Sequence, residues 1–109
     1  MKYQAIIVDL DRTLLRTDKT ISEYTLQILR TCQQIGIRLF AATARPERAI
    51  TMYQKILDFD AVTTLNGART ITKDAVYENF ISRPSAESVL NQLRQTKNMI
   101  ITVEAETAI

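Results

Sequence analysis

Short apolar runs alternate with amphipathic stretches along the whole chain. Residues 3–9, YQAIIVD, are rich in β-branched residues and end in polar ones, which predicts a buried strand. A polar loop follows from Asp11 to Lys19, interrupted by Leu14 and Leu15. In ISEYTLQILRTCQQIG, Leu26, Ile28, Leu29, Cys32 and Ile35 recur at helical spacing. Ser22 is placed to cap that helix, with Ile21 stapled onto Leu26 across it, and Gly36 stands where a left-handed terminal residue is wanted.

IRLFAA (37–42) predicts a second strand, and Pro46 suits the first turn of a helix reaching Leu57. AVTTL predicts a third strand. Asn66-Gly67 is a turn signal, and ARTIT is expected to form a hairpin with the segment around Val76 and Tyr77. Ser82 or Ser85 caps a further helix through about Gln95, and MIITVEAE is expected to be a last strand. Alternating strands and helices predict an α/β fold whose parallel sheet is covered on both faces.

Composition narrows the function. At 109 residues the chain is one domain or less. Its net charge of +2 comes from scattered Lys and Arg, so no nucleic-acid partner is expected, since phosphate-backbone binding needs a clustered basic face. No apolar run approaches the roughly 20 residues of a membrane span, so no membrane partner is expected. The first residues lead into acids with no small-residue cleavage site, so the expected location is cytoplasmic. Cys32 is the single cysteine and is expected to pack in the core; Tyr3, Tyr24, Tyr53 and Tyr77 are expected to be partly in it. With no histidine in the sequence, catalysis rests on carboxylates, hydroxyls, Lys or Arg.

The candidate chemistry lies at the strand ends. In parallel α/β folds, ligands bind beyond the carboxyl ends of the strands. Three such ends offer Asp9 with Asp11, Thr43 with Arg45, and Asn66. Two nearby carboxylates raise each other's pKa, and a hard cation relieves that repulsion through oxygen ligands. Carboxylates and a hydroxyl without Cys or His suit Mg²⁺ far better than zinc. An Asp can also be a phosphoryl-accepting nucleophile, with a second Asp handling the proton of the leaving oxygen. A dinucleotide-binding loop is excluded, because Gly36 and Gly67 are the only glycines. A receiver-type phospho-acceptor domain fits poorly: it places its acceptor Asp on a later central strand, which VTTLNG does not match.

DLDRTLL (9–15) resembles the first motif, DxDGTLL, of the haloacid dehalogenase-like (HAD) hydrolases. AATARP is similar to their second motif, and TLNGARTI resembles the Cof-type sugar-phosphate phosphatases, which carry a large α/β cap. The resemblance covers essentially the whole chain. It implies a Rossmann-like three-layer HAD core, with residues 1–81 as its N-terminal half and 82–109 as the start of the cap. It implies Asp9 as nucleophile, Asp11 as general acid/base, and Mg²⁺ held by the Asp9 carboxylate and the Asp11 backbone carbonyl. Thr43 becomes a donor to the phosphoryl oxygens, with Ala44, Arg45 and Asn66 beside the phosphate. Arg45 is equally readable as a helix-start charge.

Two departures stand out. Arg12 and Ala44 replace usual glycines; Arg12 points either to solvent or to substrate charge. The family also uses a later lysine and a later acidic pair, and neither Lys73 nor Lys97 sits in a matching motif. The expectation is therefore a phosphatase of small phosphorylated metabolites that is weak or inactive as this chain, read as a truncated N-terminal portion. The alternative is a non-enzymatic remnant acting through protein contacts. The Asp9 strand is expected to be an exposed edge through which copies associate.

Overall fold

A computed structural model describes residues 2–105. The elements run β1 (Ala5–Asp9), α1 (Glu23–Gln34), β2 (Arg38–Ala42), α2 (Thr51–Ile56), β3 (Ala61–Thr64), β4 (Arg69–Thr72), β5 (Val76–Glu78) and α3 (Arg83–Leu93). One sheet holds the strands in the order β1-β2-β3-β4-β5. Pairing is parallel from β1 to β3 and antiparallel from β3 to β5. The α/β class expected from the sequence therefore holds, with the anticipated hairpin making the sheet mixed.

Capping explains α1. Ser22 accepts the Thr25 amide at 3.1 Å, and Ile21 and Leu26 are both buried across the cap. Gly36 at φ +94° ends the helix in the left-handed region that favours glycine. Ser82, not Ser85, caps α3, which ends at Leu93. The helix expected from Pro46 is broken: a 3-10 turn (Glu47–Ala49) leads through Ile50 into the short α2.

The core lies on one face of the sheet. Leu39, Ala41 and Val62 point to it, with Ile6 and Val8 beside them on β1. Leu26 and Leu29 of α1, Tyr53 of α2, and Leu57, Leu10, Leu14 and Leu15 close over this face. Cover on both faces does not follow among the described residues: α1 and α2 pack on the same core face, and Ile7, on the opposite face, is 71% exposed. The apolar stripe of α1 is narrower than its spacing suggests. Ile28 and Ile35 are exposed and Cys32 is half-buried, because only one edge of the helix meets the sheet. Of the four tyrosines only Tyr53 is buried; Tyr3, Tyr24 and Tyr77 are exposed.

Residues 99–105 form no strand, and Ile100 is 96% exposed. A strand needs a neighbour to satisfy its amides and carbonyls, and among the described residues none lies alongside. Glu106, the end of that expected strand, lies outside the described residues. The outer edge of β1 is likewise without a strand partner among the described residues, as expected.

Candidate functional site

The carboxyl ends of β1, β2 and β3 fall side by side. Asp9, the last residue of β1, pairs in register with Ala42, and Ala42 pairs with Thr63. The chain continues past Ala42 into Thr43, whose amide donates to the Thr63 carbonyl at 2.9 Å. After β3, Leu65, Asn66 and Gly67 turn through three successive positive φ angles, 51°, 55° and 101°. This turn is stitched to the end of β2: the Leu65 amide donates to the Arg45 carbonyl (3.1 Å) and the Asn66 amide to the Thr43 carbonyl (3.2 Å). Sequence and topology thus bring Asp9, Thr43, Arg45 and Asn66 to one end of the sheet.

Asp9 accepts the amide of its neighbour Leu10 on Oδ1 at 2.9 Å, and the residue is exposed. Thr43 is buried, and its hydroxyl oxygen accepts the Arg45 amide at 3.0 Å. A hydroxyl that accepts through a lone pair keeps its proton to donate. The Thr43 hydroxyl therefore keeps a proton available to donate.

Asp11 sits in the wide turn Leu10–Leu14, followed by Arg12 at φ 62°, ψ 12°. The left-handed region costs a non-glycine residue roughly 1–2 kcal/mol, which explains why glycine suits this position. Arg12→Gly is expected to stabilise the fold by about 0.5–1 kcal/mol, since glycine's greater unfolded-state entropy offsets part of the relief. Urea unfolding would show it, and a loss of stability would contradict it.

The geometry departs most from expectation at the Asp11 carboxylate. Arg45 grips it with two bonds, Nε to Oδ2 at 2.8 Å and Nη2 to Oδ1 at 2.7 Å. Lys19 Nζ adds a third, to Oδ1 at 2.8 Å. These donors, Arg45 before Lys19, hold the Asp11 carboxyl well below the usual carboxylate range, and Asp11 in turn raises the Arg45 guanidinium. Arg45 also donates to the Ala49 carbonyl (3.3 Å) and lies 5.7 Å from the Tyr53 ring centre, a cation–π distance. The Tyr53 hydroxyl donates to the Lys19 carbonyl at 2.9 Å.

Arg45 is thus neither a free helix-start charge nor an open contact; it is a partner of Asp11. Lys19 and Tyr53 were not evident from sequence. Lys19 closes a polar loop with no motif around it, and Tyr53 carries only the helical spacing of a core residue. Lys73 lies 3.5 Å from Asp58 on the surface, as expected of a solvated charge. Ala44 and Asn66 border a groove of about 560 Å³ that is also lined by Leu65, Asn79, Phe80 and Ile81.

The donor set can be tested for a cation. Asp9 and Asp11 supply oxygens only, the chemistry of a hard divalent ion. Among the described residues no group of three or more His, Cys, Asp or Glu side chains gathers. With its carboxylate engaged by Arg45 and Lys19, Asp11 would contribute its backbone carbonyl. The residues present therefore fit part of an Mg²⁺ shell and do not fit a zinc cage.

A mixed sheet that gathers an acid pair at the end of its first strand and a buried hydroxyl beyond its second places the chain among α/β proteins that bind ligands at their strand ends. A family model of haloacid dehalogenase-like hydrolases matches residues 6–109. The chain belongs to that family, in agreement with the Cof-type motifs read from the sequence. It is 39% identical over 68 residues to the Bacillus subtilis (strain 168) protein 5-amino-6-(5-phospho-D-ribitylamino)uracil phosphatase YitU, which covers 62% of this chain and 25% of that protein. A haloacid dehalogenase-like hydrolase from Bacteroides thetaiotaomicron superposes with a TM-score of 0.74 at 29% identity, over 86% of this chain and 38% of that one. One from B. subtilis gives 0.73 at 26% identity, over 84% and 33%. The chain spans a quarter of the length of the curated relative it matches. No helix among the described residues is long and apolar enough to cross a membrane.

Proposed function

We propose that this chain carries the nucleophilic half of an Mg²⁺-dependent phosphatase site that acts on a small phosphorylated metabolite. The observation that carries the reading is the pairing of Asp9 with Ala42, which sets the candidate nucleophile at the same end of the sheet as Thr43, the residue that follows β2. An Asp9 oxygen attacks phosphorus, the bond from phosphorus to the ester oxygen breaks, and Asp9 holds an acyl phosphate. Thr43 donates to a phosphoryl oxygen. Asp11 takes a proton from the water that hydrolyses the acyl phosphate, and it can hold a proton for the leaving oxygen only once one of its cationic donors has withdrawn. The Asp9 carboxylate and the Asp11 backbone carbonyl would hold Mg²⁺, which supplies charge neutralisation for the transferring group.

The groove beside Ala44 and Asn66 is the place for the leaving group. The phosphatase relative supports the reaction class, and its phosphorylated ribitylaminouracil supports a small-molecule substrate. Residues 1–81 are taken as the N-terminal half of the core and 82–109 as the start of a cap, with Ser82 opening α3 at the boundary. The open edge of β1 supports self-association through that strand.

Turnover by this chain is expected to be slow, because no further acidic pair joins Asp9 and Asp11 among the described residues. The test is phosphate release from a generic phosphate ester with and without Mg²⁺. Release that stops on chelation and returns with Mg²⁺ is the expected result; release indifferent to chelation would overturn the metal assignment.

A further inference from the structure

Both oxygens of Asp11 are occupied. Oδ2 takes Arg45 Nε, and Oδ1 takes both Arg45 Nη2 and Lys19 Nζ. A carboxylate held by three donors has one acceptor position left of about four and is not free to turn toward an incoming leaving-group oxygen until a donor withdraws. The two cations are not equally able to do so. Arg45 is 23% exposed, bidentate on Asp11, and tied to the Ala49 carbonyl and the Tyr53 ring. Lys19 makes one bond to Asp11, and its side chain is 55% exposed. Its backbone, in contrast, is fixed. The Lys19 amide donates to the Arg16 carbonyl and the Arg16 amide to the Thr20 carbonyl, each at 2.8 Å, while the Lys19 carbonyl takes the Tyr53 hydroxyl. Lys19 itself stands at φ 67°. A rigid turn therefore presents a single-bonded, solvent-accessible ammonium beside the candidate proton-handling group.

Two cations and one carboxylate leave this cluster with a net positive charge. A phosphate dianion offers more charge and more acceptor oxygens than one carboxylate oxygen, so it competes well for an ammonium. We propose that Lys19 is a substrate-binding residue: its Nζ leaves Asp11 Oδ1 for an oxygen of the incoming phosphate group, and that exchange opens one acceptor position on Asp11 Oδ1 while Arg45 keeps the carboxylate oriented. The proposal rests on the phosphatase reading for the identity of the anion. It assigns to a residue outside the sequence motifs the cationic contact with the phosphate.

Inorganic phosphate is the probe, titrated into the 109-residue chain in the presence of Mg²⁺. Binding is followed by NMR through the Lys19 side-chain resonances and the Arg45 Nε–H. The Lys19 resonances should move on binding. Lys19→Gln should weaken phosphate binding about fivefold or more, Lys19→Arg should stay within about twofold, and Lys97→Gln, which removes the same charge elsewhere, should change little. Unshifted core amides at Leu39 and Ile50 show that each variant is folded. Equal losses in Lys19→Gln and Lys97→Gln would reduce the effect to overall charge and overturn the proposal. So would unchanged affinity in Lys19→Gln, or no phosphate binding by the parent chain. The two readings fail separately. Lys19-dependent phosphate binding with turnover indifferent to Asp9 would sink the phosphatase reading and leave the Lys19 assignment. Asp9-dependent turnover with an unchanged KM in Lys19→Gln would do the reverse.

Discussion

Asp9→Asn is expected to reduce phosphate-ester turnover by at least about a hundredfold, which for a slow parent chain means the buffer background. The amide is close to the carboxylate in size and can still accept the Leu10 amide that Asp9 Oδ1 now accepts, so the turn is expected to survive. What is lost is the anionic oxygen that attacks phosphorus. Removing a nucleophile costs more than removing a supporting donor, because the remaining groups have no covalent path to stabilise. The comparison must be made at saturating Mg²⁺, since the same substitution also removes a proposed metal ligand. Turnover within a few-fold of the parent at high Mg²⁺ would mean that another group performs the chemistry.

The second large effect is on the fold. Leu39→Ala is expected to cost about 2–5 kcal/mol, the range for truncating a buried leucine in a core that relaxes only partly. Leu39 is 1% exposed in β2, a strand flanked by β1 and β3, and its side chain faces the single apolar cluster. Since α1 and α2 cover only one face of the sheet, no second core shares the load among the described residues. Small domains hold roughly 5–15 kcal/mol in total, so this substitution removes a large share and shifts the urea midpoint strongly. It also undermines the site, because β2 carries Thr43 and Arg45 at its end. Ile7→Ala, on the exposed face, should cost far less. Equal losses at the two positions would contradict the one-sided core.

The elements legible in the sequence are those governed by local rules. Ser22 and Gly36 bracket α1 because capping and left-handed backbone geometry act within a few residues. The runs around Ile6, Leu39 and Val62 are strands because a short β-branched apolar run has little other use. The placement of the candidate residues was legible where it coincides with strand ends: Asp9 ends β1, and Thr43 and Asn66 follow the ends of β2 and β3. What local rules cannot give is which distant side chains meet. Arg45 reaches Asp11 across 34 positions, and Tyr53 reaches the Lys19 carbonyl across another 34. Neither contact leaves a mark in spacing. The predicted strand at MIITVEAE failed for a related reason. Its composition is strand-like, but a strand is a pairing and its residues have no partner beside them among the described ones.

Arg12 illustrates the middle case. A glycine-to-arginine exchange is visible in the sequence, and its backbone consequence is now plain at φ 62°. The cost is modest because one left-handed non-glycine residue is tolerable in a turn whose core anchors, Leu10, Leu14 and Leu15, are buried.

The central claim is that Asp9 becomes covalently phosphorylated. The direct measurement is to mix the chain with a reactive phosphate donor such as acetyl phosphate and Mg²⁺, reduce with borohydride, and locate the change by peptide mass spectrometry. Borohydride converts an aspartyl phosphate to homoserine and leaves a free carboxylate untouched. The account predicts homoserine at position 9, dependent on Mg²⁺ and absent when chelator is present. Conversion at another aspartate, or none at Asp9 under conditions where the chain hydrolyses the donor, would contradict it.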